Sequence, residues 1–204
     1  MDKSFFLTNF CKNPNQKNSF LLYCDLLFER QKKLNLVSSS SLENVWSRHF
    51  IDSAQIIKYI LPYKNFSGLI DIGSGAGFPG LVISLLGVNP VYLIESNRHK
   101  AAFLSDVIKI TGSSAKVLNV KIEKVILPDF NIVISRAFAS LHKLFTILEK
   151  KGVANVRCIF PKGISYNHEI KETKKKWDIK FSTHDSITNS NSKIVIVESF
   201  QRVT

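Results

Sequence analysis

Residues 68–80 read Gly-Leu-Ile-Asp-Ile-Gly-Ser-Gly-Ala-Gly-Phe-Pro-Gly. A short apolar run, Leu69, Ile70 and Ile72, carries one acid, Asp71, and then breaks into glycine at alternate positions, Gly73, Gly75 and Gly77. A helical pattern starts at Pro79. Strand, glycine turn and helix in that order suit a nucleotide-type binding loop. Glycine lets the backbone turn sharply and come close to a ligand with no Cβ in the way.

Two ligands compete for this loop. Gly75-x-Gly77-x-x-Gly80, with Glu95 at the end of the next apolar run, fits a dinucleotide fingerprint on spacing. Pyrophosphate binding, however, uses free N–H groups at a helix N-terminus, and Pro79 has none to offer. Asp71 would also set a negative charge beside that anion. S-adenosylmethionine (SAM) has no phosphate, and an acid at a strand end attracts its ammonium and sulfonium. Glu95 can accept hydrogen bonds from ribose hydroxyls. SAM is therefore the expected cofactor, with a dinucleotide or an unliganded turn as the alternatives.

The elements that must position these groups follow from pattern. Residues 1–18 are polar and expected to be frayed. Residues 19–36 read as a helix with Phe20, Cys24, Leu27 and Leu34 on one face. Ser40 and Glu43 suggest a capping box for a second helix, ended by Pro62, whose stripe is Trp46, Phe50, Ser53, Ile57 and Ile60. From Gly68 onward, strand patterns at 68–72, 91–95, 115–120, 130–135 and 156–160 alternate with helices at 79–87, 97–110, 140–150 and 165–175. Such alternation implies a mostly parallel sheet with right-handed crossovers. Strands at 178–184 and 193–200, joined without a helix, should be antiparallel. The expected architecture is α/β, a Rossmann-like SAM-methyltransferase sheet at residues 65–204 that ends in an antiparallel hairpin. A small helical region at residues 1–64 precedes it.

The 204-residue length suits one such domain, and 45% hydrophobic residues suit a packed core. Lysine and arginine number 28 against 16 acids, for a formal charge of +12. That excess biases partners toward polyanions, although drift of composition toward lysine is the plainer alternative. Cys11, Cys24 and Cys158 are isolated, which suggests neither zinc nor a disulfide framework. Thr8 and Asn9 interrupt the Phe5-Phe6-Leu7 cluster, so no signal-peptide core is expected. No apolar run approaches the roughly 20 residues that span a bilayer. A cytoplasmic protein without metal or membrane attachment is expected.

Asp71-Ile-Gly-Ser-Gly-Ala-Gly-Phe-Pro-Gly80, Ile134-Ser-Arg-Ala-Phe-Ala-Ser-Leu141 and Lys162-Gly163 together resemble the 16S rRNA guanine-N7 methyltransferases once called glucose-inhibited division protein B. Leu34-Asn35-Leu36 and Trp46-Ser-Arg-His-Phe-Ile-Asp-Ser53 resemble that family's helical region. The resemblance implies methylation of N7 of one guanosine in the 530-loop region of small-subunit rRNA, with SAM as donor. The partner is free 16S rRNA or a small-subunit particle, and the chain is expected to be a monomer. Carried over by position, the family's cofactor contacts fall on Gly73, Phe78, Ile122, Glu123 and Arg136. Glu95 stands where many relatives have aspartate, and Val37 with the following serines stands where threonine is common.

Guanine N7 offers a lone pair and no proton, so orientation and electrostatics should supply most of the rate without a general base. The position after the fourth strand reads Ser135-Arg136-Ala137-Phe138, with no Asn/Asp-Pro-Pro run for amine methylation. Cys158 lies within an apolar strand, which argues against thiol-dependent pyrimidine chemistry. Arg136 is the expected central donor, able to orient the SAM carboxylate or the guanine edge; a structural ion pair is its plainer role. Phe138 is placed to stack on the base, or to pack as an ordinary core aromatic. Lys162 is placed to hold O6 or a phosphate, or to lie free on the surface. His49 and Asp52, three apart on a helix, are expected to touch and to be structural. Arg30, Lys32, Lys33, Arg98, Lys100, Lys171, Lys174, Lys175 and Lys176 are the candidate phosphate contacts. An NAD(P)-dependent oxidoreductase and a non-catalytic RNA-binding assembly protein are the competing functions.

Overall fold

The computed structural model describes residues 1–63 and 66–203, so the expected boundary between 64 and 65 lies outside the described residues. Among the described residues seven strands form one sheet: β1 (Leu69–Ile72), β2 (Val91–Ile94), β3 (Lys116–Leu118), β4 (Ile132–Ile134), β5 (Arg157–Lys162), β6 (Trp177–Asp185) and β7 (Lys193–Arg202). Their order is β3-β2-β1-β4-β5-β7-β6. The five strands from β3 across to β5 pair in parallel. β7 enters antiparallel between β5 and β6. Chain order reverses between β1 and β4, which makes the carboxyl ends of those two strands the topological switch point where such sheets bind ligands.

Helices cover both faces. On one face lie α1 (Lys3–Asn9), α2 (Pro14–Gln31), α3 (Ser39–Leu42), α4 (Asp52–Ala54), α5 (Ile57–Ile60), α6 (Gly80–Leu85) and α7 (Arg98–Thr111). On the other lie α8 (Leu141–Lys150) and α9 (Tyr166–Lys174). Strand pleat sorts β1 between the faces. Leu69 packs with the first cluster, Ile70 and Ile72 with the second. Asp71 shares the parity of Leu69 and so faces α6.

The N-terminal end departs from expectation. Residues 3–9 form α1 rather than a frayed tail, because Phe6 is fully buried against Phe20, Trp46 and Phe50. α2 starts earlier than the apolar stripe suggests, since the Asn13 side chain accepts from the Gln16 amide and Pro14 sits in the first turn. No Ser40–Glu43 capping box forms. α3 begins after Ser38, and Glu43 is already its C-cap. The expected second helix is broken by a π-helical turn over Trp46–Ile51. There the Asp52 amide donates to Ser47 and His49, and the Arg48 carbonyl accepts from Arg136 instead. A π-turn of this kind frees a carbonyl that an α-helix would consume.

Candidate active site

Two clefts open at the carboxyl edge of the sheet and share Ala137 and Phe138 as a common wall. The smaller, about 470 Å³, lies against Gly73, Gly75, Glu95, Lys100, Ile122 and Glu123. The larger, about 590 Å³, is lined by Arg48, His49, Asp52, Arg136, Lys162, Glu169, Thr188 and Lys193 among others.

The smaller cleft is built by the glycine loop and the end of β2. Gly73 adopts φ +74°, and a Cβ there would stand 2.3 Å from Cδ2 of Phe138. Only a residue without a side chain fits that position. The Glu95 carboxylate accepts from the Gly75 amide at 2.8 Å and the Asn97 amide at 2.7 Å. A carboxylate offers about four acceptor positions, so Glu95 keeps capacity for hydroxyl groups while it fixes the loop. These features fit a nucleoside with an uncharged sugar edge. Ile122 is buried and Glu123 exposed at the cleft's far side.

Four of the expected cofactor residues do not line this cleft. Asp71 is fully buried, and its Oδ2 accepts from the Gly80 amide at 2.9 Å. The pleat turns it behind the loop, so it cannot meet a cofactor cation directly. Its job is to hold α6 close: a Cβ on Gly80 would lie 2.6 Å from that same oxygen. Gly77 faces Tyr23, whose hydroxyl donates to the Ala76 carbonyl. The Phe78 ring packs between Tyr23, His49 and Phe50 in the core, on the opposite side of the loop from the cleft. Arg136 lines the larger cleft instead.

Burial pushes the Asp71 carboxyl up to about 7, the Gly80 amide and Arg136 offsetting part of that shift. Unfolded, the group ionises near 4. Between those values the folded chain keeps a proton that the unfolded chain has lost, so this residue's contribution to stability falls as pH rises from about 4 to about 7 and is level above. Asp71→Asn is therefore expected to gain in melting temperature relative to the parent across that window. Thermal unfolding at pH 4, 5.5 and 7 checks this; a difference independent of pH contradicts it.

In the larger cleft Arg136 is anchored by three contacts. Nη1 donates to the Arg48 carbonyl at 2.9 Å and to Asp52 Oδ2 at 3.0 Å, and Nη2 donates to His49 Nδ1 at 2.7 Å. The guanidinium also lies 5.4 Å over the Phe78 ring. Because His49 Nδ1 accepts, its Nε2 carries the proton and donates to Ser41 Oγ at 2.8 Å. Burial, with Arg136 and Arg48 beside it, lowers the His49 pKa to about 3, so the ring is neutral and already committed. His49 and Asp52 thus meet Arg136 rather than each other, and the arginine does hold the structural ion pair. Of its five N–H groups, Nε–H and one on Nη2 have no partner among the described residues.

Lys162, at the end of β5, donates to Glu169 Oε1 at 2.9 Å and to the Ala139 carbonyl at 3.3 Å. It is a paired group, not a free surface lysine. Phe138 is 40% exposed and lies between the clefts. Ala137 beside it takes φ +55°, a left-handed conformation uncommon for a residue with a Cβ and one that clusters at functional loops. Burial raises the Cys158 thiol, which is shut inside β5 and away from both clefts.

The basic residues divide between the two edges. Lys100 lines the smaller cleft, and Arg98 opens the same helix. Arg30 is paired to Asp106 at 3.2 Å, with Lys32 and Lys33 exposed just beyond. Lys171, Lys174, Lys175 and Lys176 do not belong to this edge. α9 starts beside Lys162 and runs away from it, and Trp177 then pairs with Arg202, the end of β7 remote from the Lys162–Lys193 pair. Lys175 is also paired with Glu172. Sequence reasoning missed Arg48, Lys121, Glu169, Thr188 and Lys193, all of which line a cleft.

Among the described residues no group of three or more His, Cys, Asp and Glu side chains is placed to hold a metal, and no helix is long and apolar enough to cross a membrane.

Residues 16–197 match the family model GidB, rRNA small subunit methyltransferase G. A ribosomal RNA small subunit methyltransferase G from Rickettsia bellii (strain OSU 85-389) is 39% identical over 182 residues, 89% of this chain and 93% of its own. Its namesake from Rickettsia prowazekii (strain Madrid E) is 37% identical over the same shares. Among solved structures, magnesium protoporphyrin IX methyltransferase (ChlM) from Synechocystis PCC 6803 with bound SAM superposes at TM-score 0.59, with 11% identity over 93% of this chain and 99% of that one. Ribosomal protein L11 methylase from Lactobacillus delbrueckii subsp. bulgaricus superposes at TM-score 0.54, with 13% identity over 75% and 77%. At such identities the likeness is one of fold, the Rossmann-like α/β sheet of methyltransferases.

Proposed function

The chain belongs to the rRNA small subunit methyltransferase G family, and from that premise we propose that it transfers the methyl group of SAM to N7 of one guanosine in the 530-loop region of 16S rRNA. The observation that carries this reading is the pair of clefts meeting at Ala137 and Phe138. One is fitted to a nucleoside cofactor. The other is edged by the cations Arg48, Arg136, Lys162 and Lys193.

SAM, bound in the smaller cleft, supplies an electrophilic methyl group. The Gly73 and Gly75 backbone lets it approach β1, Glu95 accepts from its ribose, and Ile122 with Glu123 flanks its base. Arg136 uses its spare N–H groups to orient the SAM carboxylate or the guanine edge from the larger cleft, while Asp52, His49 and the Arg48 carbonyl keep its plane fixed. Lys162 donates to guanine O6, and Phe138 stacks on the base. No side chain removes a proton, because N7 has none and His49 is held neutral as an acceptor. We take residues 1–64 as the helical region that steadies Arg136 and residues 65–204 as the methyltransferase domain. The chain acts as a cytoplasmic monomer on 16S rRNA or a small-subunit particle.

Incubation with labelled SAM and small-subunit RNA from cells lacking the gene tests the reading. Label recovered as N7-methylguanosine supports it; label in another nucleoside, or none, overturns it.

RNA must approach the carboxyl edge, so Arg98→Gln with Lys100→Gln is expected to reduce the salt dependence of RNA binding, by about 0.9 in the log–log slope for each phosphate no longer held. Replacing Lys174, Lys175 and Lys176 with glutamine is expected to change methyl transfer by less than about twofold, since charges beyond a Debye length are screened. Binding isotherms over a salt series, with single-turnover rates, check both; an equal loss from the two sets would contradict the division of edges.

A further inference from the structure

Lys162 and Glu169 form a paired cation and anion in the larger cleft, and only the cation was expected there. Glu169 sits in the first turn of α9. Its Oε1 accepts from Lys162 Nζ at 2.9 Å and from the Leu141 amide at 2.6 Å. Its Oε2 accepts nothing among the described residues, although the side chain is 20% exposed and faces the cleft. Lys162 has three ammonium protons and spends one on Glu169 and one on the Ala139 carbonyl. One carboxylate oxygen and one ammonium proton are left unspent beside each other.

We propose that this pair selects guanine: Glu169 Oε2 accepts from N1–H and the N2 amine while Lys162 donates to O6. The proposal rests on the reaction assigned above and names how its base is recognised. Contacts run in one order along the cleft, from Glu169 to Lys162, from Lys162 to Ala139, and from the neighbouring Phe138 to Gly73 at the cofactor side. Guanine presents its groups in a matching order, the N1 and N2 donors, then the O6 acceptor, then N7. With the donors on Glu169 and O6 on Lys162, N7 falls at the end toward Phe138 and Gly73, where the methyl group arrives. Adenine reverses the match. Its N6 amine would confront the ammonium and its bare N1 the carboxylate, and a site built for hydrogen bonds rejects a base that leaves them unpaired.

Single-turnover methyl transfer on a small-subunit RNA fragment with guanosine or inosine at the target tests this, because inosine lacks only the N2 amine. The wild-type chain is expected to prefer guanosine by about tenfold or more, and Glu169→Ala to bring the two rates within about twofold of each other, chiefly through loss on guanosine. Removing the Leu141 hydrogen bond also loosens the start of α8, so Glu169→Gln is the second variant. It keeps an acceptor for Leu141 but turns an amide donor toward the base, and the preference should collapse there too. A purely supporting residue would lower both rates together and leave their ratio intact. An unchanged ratio in both variants, or a wild-type chain indifferent to the N2 amine, overturns the assignment while N7 methylation of guanosine still stands. Absence of N7-methylguanosine from the wild-type reaction instead overturns the underlying reaction and the proposal with it.

Discussion

Gly73→Val is expected to lower SAM affinity by on the order of a hundredfold, about 2.7 kcal/mol, and to leave the chain folded. Two costs add at that position. The backbone holds φ +74°, where a β-branched residue is strained by about 1–3 kcal/mol. A Cβ would also stand 2.3 Å from the Phe138 ring, so the ring must move into one of the clefts it separates. Gly112 supplies the control. It has nearly the same φ, +68°, but nothing within 4 Å of the added Cβ, so Gly112→Val carries the strain without the obstruction. Calorimetric titration of SAM into both variants should show weak binding for the first and parental binding for the second. Equal affinities would mean that the cofactor does not approach β1 through this loop.

Arg136→Lys is expected to reduce the single-turnover rate by about a hundredfold, the scale of loss that follows a small misplacement of a reacting group. Lysine keeps the charge but not the planar fork, and one ammonium on a flexible stem cannot reproduce the three anchoring contacts and still present two N–H groups to a ligand. Asp52 and His49, partly or wholly buried, would lose a partner, so a modest drop in melting temperature should accompany the kinetic loss. The rate should stay flat through neutral pH in both proteins when binding is held saturating. A near-parental rate in the lysine variant would reduce Arg136 to a supplier of potential, and a base-dependent limb would return a proton acceptor to the mechanism.

The alternation of short apolar runs with helical patterns after Gly68 was legible because the inner parallel strands β1, β2, β4 and β5 are covered on both faces and so read as mostly apolar runs. The glycine loop was legible for a similar reason, since alternate glycines record a backbone that must turn and be approached. What the pattern could not show is which way a strand residue points. Asp71 reads as an acid at a ligand edge, but pleat parity sends it toward α6. Phe78 follows the same loop into the core, where Tyr23 and His49 from distant segments receive it.

The N-terminal helices were less legible because tertiary contact holds them. α1 has seven residues, too few to be stable alone, and depends on Phe6 meeting Phe20 and Phe50. Periodicity also cannot reveal a π-turn, yet that turn hands the Arg48 carbonyl to Arg136. The larger cleft draws on residues 38 to 194 of the chain. Arg48, His49 and Asp52 reach Arg136 from far upstream, α9 folds Glu169 back onto Lys162, and the insertion of β7 beside β5 brings in Thr188 and Lys193, so Glu169 and Thr188 carried no local sign of their part in it.

The most direct test is nucleotide-resolution mapping of N7-methylguanosine in 16S rRNA from cells with and without this gene, and from cells that carry it with Gly73→Val. One N7-methylguanosine in the 530-loop region, present only with the intact gene and lost in the variant, is the predicted result. The same modification in all three, or one that appears at a different atom or loop, would contradict it.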